Sequence, residues 1–315
     1  MGYNNCVGPL AFLANITNLY NILEGYKPTI YGYADDNQLY FSFPPTHQSL
    51  HAAKLQIESA IGKAREFFLP HQLQVNDTKT EFLTLGTLTH VSKINISLNI
   101  GNSLVAPINS ARNLGVIFDS HMSLKEHINQ ICKKSFFQLR QLRHLRSYMS
   151  EKTATLLVHA FIHSNLDYCN SLLHGLPKYL THKLQKIQNA AARLIKKKSK
   201  FEHITPVLRE LHWLPVEQRS AFKIGVLTYK ALHGESPQYL RDIIHRYTPT
   251  RTLRSSSRNE LQIPKMKKHV HSKRAFSFSA PEFWNDLPEN IKNSSSLAIF
   301  IKNLKTYLFN IAYNC

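Results

Sequence analysis

The sequence predicts an α+β fold, with a small antiparallel sheet and helices up to about residue 120 and a mostly helical remainder. Three observations predict it. Short β-prone runs punctuated by Gly, Pro and Asn alternate with two amphipathic stretches over the first 120 residues. Beyond Ser120, apolar residues recur at helical spacing over long segments. The charge divides in the same place: the 315-residue chain carries a formal net charge of +19, yet its first 120 residues are close to neutral. With 43% hydrophobic residues the chain can bury a sizeable core. The basic surplus exceeds what solubility asks for and points to a polyanionic partner, nucleic acid before an anionic membrane.

Residues 10–23 place Phe12, Ile16, Leu19, Tyr20 and Leu23 at a helical period, and Gly25 and Pro28 end the run. The next run is Tyr31-Gly32-Tyr33-Ala34-Asp35-Asp36-Asn37-Gln38-Leu39-Tyr40-Phe41-Ser42-Phe43. Two acidic residues between aromatic runs read as strand, tight turn, strand, with both carboxylates at a hairpin tip. Adjacent carboxylates repel and are costly to bury unpaired. They make chemical sense with a divalent cation between them and a phosphate. An ordinary acidic turn is the competing reading, since Asp is a common turn former.

Thr46 is placed to cap a helix over 46–68, whose apolar stripe is Leu50, Ala53, Ile57, Ala60, Ala64 and Phe68, and Pro70 stops it. Residues 80–85 read as a strand. Ile94, Ile96, Leu98 and Ile100 alternate as a half-buried strand, Gly101-Asn102 as a hairpin turn, 104–108 as its return and 113–118 as one further short strand. After Ser120, a helix over 127–149 turns Ile128, Ile131, Leu139, Leu142, Leu145 and Met149 inward and Lys133, Lys134, Arg140 and Arg143 outward. Helices follow over 152–164 and 178–198, the second ending in Lys196-Lys197-Lys198. Two or three more surround His212-Trp213-Leu214-Pro215 within 201–245, the basic runs 250–258 and 265–274 lie in loops, and 297–307 is a closing helix.

Cys6, Cys132, Cys169 and Cys315 are scattered without a C-x-x-C pair, which excludes a disulfide scaffold or zinc knuckle and suits a reducing compartment. His159 and His163 have the i,i+4 spacing of a zinc pair, but no Glu follows the first and no third ligand is evident, so they read as packed helix. Trp213 and Trp284 read as packing anchors. No apolar stretch reaches 18 residues and no basic leader precedes residues 10–23. The expectation is therefore no transmembrane segment or signal peptide, and an intracellular location in nucleus or cytoplasm. Nothing in the sequence specifies an oligomeric state.

Four segments add a resemblance. Val7-Gly8-Pro9-Leu10-Ala11-Phe12, Tyr33-Ala34-Asp35-Asp36, Asn76-Asp77-Thr78-Lys79-Thr80-Glu81-Phe82 and Asn113-Leu114-Gly115-Val116-Ile117-Phe118-Asp119, in this order and spacing, resemble the reverse transcriptases of non-LTR retrotransposons, the LINE-type elements of the jockey and chicken-repeat kind. Tyr168-Cys169-Asn170-Ser171-Leu172-Leu173, Leu184-Gln185-Lys186-Ile187-Gln188-Asn189-Ala190-Ala191-Ala192-Arg193, Leu211-His212-Trp213-Leu214-Pro215-Val216 and Phe283-Trp284-Asn285-Asp286-Leu287-Pro288 look like the region after the polymerase in those elements.

The resemblance implies a partial reverse-transcriptase palm over 1–120, a helical thumb-like region over 121–200 and a basic C-terminal region over 201–315. It assigns Asp35 and Asp36 to the catalytic Mg²⁺ pair. It sets Tyr33 beside the primer terminus and Lys79 near the incoming triphosphate, where a solvated lysine is the competing reading. Leu114 and Gly115 fall in the hairpin that grips the primer, a segment that also reads as core strand. Lys133, Lys134, Arg140, Arg143 and Lys196, Lys197 and Lys198 would track the backbone of an RNA and DNA template–primer. The family also has an earlier palm Asp and a Gly-x-Pro-Gln-Gly-Ser run, which this sequence lacks along with the fingers. The expectation is a truncated RNA-directed DNA polymerase, a nucleotidyltransferase that is inactive as the isolated chain, with Mg²⁺ weakly held or absent. A non-catalytic nucleic-acid-binding protein using the basic helical half is the alternative.

Overall fold

The apolar period of residues 10–23 forms α1 (Val7–Glu24), followed by a hairpin of β1 (Thr29–Tyr33) and β2 (Asp36–Tyr40) and then by α2 (His47–Phe68). The computed structural model describes residues 7–25, 29–34, 36–73, 75–91, 94, 96–248, 259–265 and 272–314. Asp35, Cys6, Cys315 and the basic residues of 250–258 and 266–271 lie outside them. Mixed helix and small sheets make the chain α+β, and it divides into two compact units, Met1–Met122 and Ser123–Cys315.

In the first unit, Thr46 caps α2, its Oγ1 accepting from the Ser49 N–H at 3.3 Å. Pro70 sits in the 3₁₀ turn that follows the helix, Leu69–His71. Ile16, Leu19 and Leu23 of α1 are buried with Ala60 and Ala64 of α2, and Ile30, Leu39 and Phe41 pack on the cluster. The opposite side of α2 holds later segments by charge: Glu58 accepts from the Asn99 N–H at 2.6 Å, and Arg65 Nη1 lies 2.5 Å from Asp77 Oδ1.

The sheet differs from the expected one. β3 (Phe82–Leu83), a short helix α3 (Leu88–Val91), β4 (Leu98–Ile100), β5 (Ser103–Val105), β6 (Pro107–Ile108), β7 (Ser110–Asn113) and β8 (Val116–Asp119) follow in order. Among the described residues they form two-stranded pairs rather than one sheet. β1–β2, β4–β5 and β7–β8 are antiparallel, and β3–β6 is parallel. The return expected over 104–108 splits at Pro107, which has no N–H for a continued ladder. The single strand expected over 113–118 is instead the second half of a hairpin. Leu114 (φ +44°) and Gly115 (φ +82°) occupy its two-residue turn, and glycine suits the second site.

The second unit opens on α4 (Lys125–Leu145), which passes through a 3₁₀ turn into α5 (Glu151–Val158); a π turn, His159–His163, joins α5 to α6 (Ser164–Asp167). α7 (Lys178–Lys196) packs along α4. The interior holds Ile128, Ile131, Leu139, Leu142, Val158, Leu184, Ile187, Ala191 and Ile195. A second cluster joins α9 (Val216–Leu232), reached through α8 (Thr205–Glu210), to later helices. These are a short α10 (Gln238–Arg241), then α11 (Phe276–Asp286), α12 (Glu289–Lys292) and α13 (Leu297–Tyr313). Tyr229, Trp284, Phe300 and Leu304 form its centre. Among the described residues no helix is long and apolar enough to cross a membrane.

One inward position is corrected. Leu145 is 51% exposed and Arg146 is buried instead. Arg146 falls four residues after Leu142 and seven after Leu139, on the buried stripe of the helix, whereas Leu145 lies at its side. Arg146 Nε donates to Leu194 O at 2.8 Å, Nη2 to Ile195 O at 2.7 Å and Nη1 to Met149 O at 2.8 Å. The guanidinium thus satisfies carbonyls at the α7 C-terminus, where a cation also suits the helix dipole.

His159 and His163 pack as the helix reading expects. Their Nδ1 atoms lie 3.1 Å apart and both rings touch Trp213, at centroid distances of 5.8 and 4.1 Å. Burial, with the Arg219 guanidinium and His159 adding to it, lowers His163 to about 2, and burial lowers His159 as well. The unfolded chain takes up these protons near the ordinary imidazole value of about 6.5, and the fold refuses them. The stability these groups contribute is complete above that value and is lost as pH falls from it toward about 2. Denaturant unfolding of the second unit should lose about 1.4 kcal/mol per pH unit below roughly pH 6 from His163 alone. His163→Gln should flatten that slope.

Candidate functional site

The hairpin register pairs Thr29 with Tyr40, Ile30 with Leu39, Tyr31 with Gln38, Gly32 with Asn37 and Tyr33 with Asp36, and Ala34 lies in the turn after β1. Strand alternation then sorts the side chains. Ile30, Gly32, Asn37 and Leu39 face the α1–α2 core, where Tyr20 Oη donates to Asn37 Oδ1 at 3.3 Å. A Cβ at position 32 would stand 1.8 Å from Tyr20 Oη, so only glycine fits beneath that phenol.

The other face carries Tyr31, Tyr33, Asp36, Gln38 and Tyr40. All three tyrosines are exposed, Tyr33 at 67%. Tyr31 and Tyr40 meet edge to face at 5.7 Å, and Tyr40 Oη donates to Gln38 Oε1 at 2.7 Å. Partial burial, with Tyr31 beside it, pushes the Tyr40 phenol up. Gln38 reaches across to the second hairpin. Its Nε2 donates to Asn113 Oδ1, and Asn113 Nδ2 donates to Gln38 Oε1 at 2.8 Å. Asn113 opens the Leu114-Gly115 turn. The paired amides therefore fasten the two hairpins side by side.

Asp36 is exposed at the head of β2. Lys79 is exposed at the end of a 3₁₀ turn, Asp77–Lys79, opened by Asn76, whose Oδ1 accepts from the Thr78 N–H at 3.1 Å. Lys79 makes no ion pair among the described residues. Mg²⁺ asks for about six oxygens in near-octahedral order. No group of three or more His, Cys, Asp or Glu able to hold a metal occurs among the described residues. Asp35, the other carboxylate that the resemblance assigns to the metal pair, lies outside the described residues.

In the second unit, Lys133, Phe137, Arg140 and His144 follow one line along the outer face of α4, opposite its buried residues. Lys134, Phe136 and Arg143 flank the line, and Tyr148, 88% exposed, stands beyond its end. The four Lys and Arg residues enter none of the ion pairs among the described residues. The run 196–198 is different. Lys196 Nζ lies 2.6 Å from both Glu151 Oε1 and Glu210 Oε1, which raise its pKa, and Lys198 lies 2.9 Å from Glu202 Oε2. Lys197 caps α7 in the left-handed conformation. Carboxylates counter two of the three charges, so this run is not the open basic strip expected of it. Arg146, the next basic residue after His144, is internal.

The later motifs act as structural ties. Gln188 Nε2 donates to Leu214 O and Gln185 Oε1 accepts from the Val216 N–H, both at 2.9 Å, which holds the Trp213 turn against α7. Arg219 grips Asp167 with two donors, Nε to Oδ1 at 2.8 Å. Trp284 Nε1 donates to Asn259 O at 2.8 Å, and Asn285 brackets the Leu261 backbone. Sequence reasoning overlooked Gln38, Phe136, Phe137 and Tyr148. The aromatic pair was legible as exposed positions on the α4 wheel, whereas the partner of Gln38 was not.

Comparison with known proteins finds no family model, no curated protein and no solved structure that matches this chain.

The hairpin face depends on the space under Tyr20. Gly32→Ala should destabilise the first unit by about 1–3 kcal/mol through overpacking. Tyr20→Phe should recover part of the loss, as read by denaturant midpoints of single and double variants.

Proposed function

We propose that this chain is a LINE-type reverse-transcriptase protein whose isolated activity is to bind an RNA and DNA template–primer rather than to extend it. The Gln38–Asn113 amide pair carries the reading. The resemblance assigns segments about these two residues to the metal hairpin and the primer-gripping hairpin, and the pair joins them. Gln38 stands two residues along β2 from Asp36 on the same face, about 7 Å away at the strand rise. Tyr33 and the Leu114-Gly115 turn then line a face on which a primer end can lie, with exposed tyrosine rings offering surfaces for bases. The earlier palm Asp that the family uses beside this pair has no counterpart in the sequence, so synthesis by this chain alone is not part of the proposal.

A second observation supports binding without catalysis. The α4 line alternates cations with exposed aromatic rings, a pattern suited to a phosphate backbone and its bases. Lys196 and Lys198 are set aside here because carboxylates already counter them.

Binding of a primed RNA template should weaken steeply between about 50 and 200 mM salt. Replacing Lys133, Lys134, Arg140 and Arg143 by Gln should flatten the log–log slope by about 0.7–0.9 per charge removed. Asp36→Asn should leave binding unchanged. A slope near zero would contradict the binding reading, and template-dependent extension by the isolated chain would contradict the assignment of binding without synthesis.

A further inference from the structure

A cavity of about 210 Å³ opens in the second unit between the end of α9, the segment at 259–261, and α11–α12. Its floor is Trp284, buried and fixed by the Nε1–H bond to Asn259 O. Its walls set the cations Arg246 and Lys292 beside Leu232 and Leu261. Lys292 is 6% exposed, and its Nζ is anchored by donation to Asn285 O at 2.8 Å. Arg246 Nη1 donates to Asn259 Oδ1 at 2.8 Å, and Asn259 Nδ2 donates in turn to Asn293 Oδ1 at 2.9 Å. All these bonds run in one sense, from guanidinium to amide to amide, so the Asn293 NH₂ remains as a donor at the end of the chain. His233 stacks on Tyr229 at 3.9 Å, and its Nδ1 donates to Tyr229 O at 2.8 Å, which fixes the ring. No Asp or Glu is among the residues lining the cavity.

We propose that this cavity is a binding site for a phosphate group. A lysine, an arginine and an amide from two segments, Arg246 and Lys292-Asn293, line one space without a carboxylate. A phosphate offers three acceptor oxygens to such a set and is favoured by charge-assisted hydrogen bonds. The volume is below the roughly 300 Å³ of sites that take drug-sized ligands, so the cavity takes the anionic group and not a whole nucleotide. The site is separate from both surfaces described above and does not rest on the template–primer reading. The phosphate has two possible sources, free inorganic phosphate or the phosphorylated end of a nucleic acid, which share the same chemistry.

The test is calorimetric titration of the full chain, with Trp fluorescence as a local readout, using inorganic phosphate and a dinucleotide with or without a 5′-phosphate. Saturable binding is expected for inorganic phosphate or for the phosphorylated dinucleotide. Arg246→Gln, at an exposed position that need not disturb the core, should weaken it about tenfold, the scale of one charge-assisted hydrogen bond. Arg241→Gln, outside the cavity, should leave it unchanged. Tighter binding of the phosphorylated dinucleotide than of inorganic phosphate assigns a nucleic-acid end as the source, and binding no tighter assigns free phosphate. The proposal is overturned if neither phosphate compound saturates, if both arginine variants weaken binding equally, or if acetate competes as well as phosphate.

Discussion

The paired amides of Gln38 and Asn113 tie the β1–β2 hairpin to the β7–β8 hairpin. No continuous sheet does this work, because the strands among the described residues come as separate pairs. The β1–β2 hairpin keeps its own ladder and so does β7–β8, but no ladder runs between them. Two side-chain hydrogen bonds join them, each worth about 1 kcal/mol net. The Arg65–Asp77 and Glu58–Asn99 contacts play the same part for the segments that carry Lys79 and β4. Few polar ties therefore decide whether the motif segments stay together, while the α1–α2 core beneath them supplies most of the buried apolar surface.

The second unit is organised the other way round. Its helices bury a broad apolar interior, and polar side chains are drawn in where backbone ends need partners. Arg146 closes the α7 C-terminus, Gln188 pins the Trp213 turn, and Arg219 holds Asp167. Segments that resemble the post-polymerase motifs of LINE-type elements are these ties. Their residues are explained by packing and hydrogen bonding within this unit. The α4 cations, which enter none of the ion pairs among the described residues, and the cavity beside Arg246 and Lys292 are features that this packing does not use.

Much of the helical content was legible because it is local. Thr46 and Pro70 bracket α2, and the apolar stripes of α4 and α7 name their buried residues. What failed was non-local or depended on phase. A run of Asn-Leu-Gly-Val-Ile-Phe reads as one strand until its turn dihedrals are known, since Leu114 gives no turn signal of its own. Arg146 stands in phase with Leu139 and Leu142 but its charge hid it as an inward position, and Leu145 took its place in the reading. The parallel β3–β6 pair joins segments with β4 and β5 between them, and no periodicity announces it. The acidic hairpin was legible as a hairpin, but Gln38 looked like an ordinary strand polar residue because its partner is 75 positions away. Lys196 and Lys198 looked open because their carboxylates come from other segments or the next turn.

The central claim is that Gln38 and Asn113 couple the acidic hairpin to the Leu114-Gly115 hairpin. A double-mutant cycle of Gln38→Leu and Asn113→Leu, followed by denaturant unfolding of the first unit, measures that coupling directly. Each single change leaves a partly buried amide without its partner, whereas the double change removes both. The account predicts a double variant less destabilised than the sum of the singles, with a coupling of about 1–2 kcal/mol. Additivity within about 0.3–0.5 kcal/mol would contradict it.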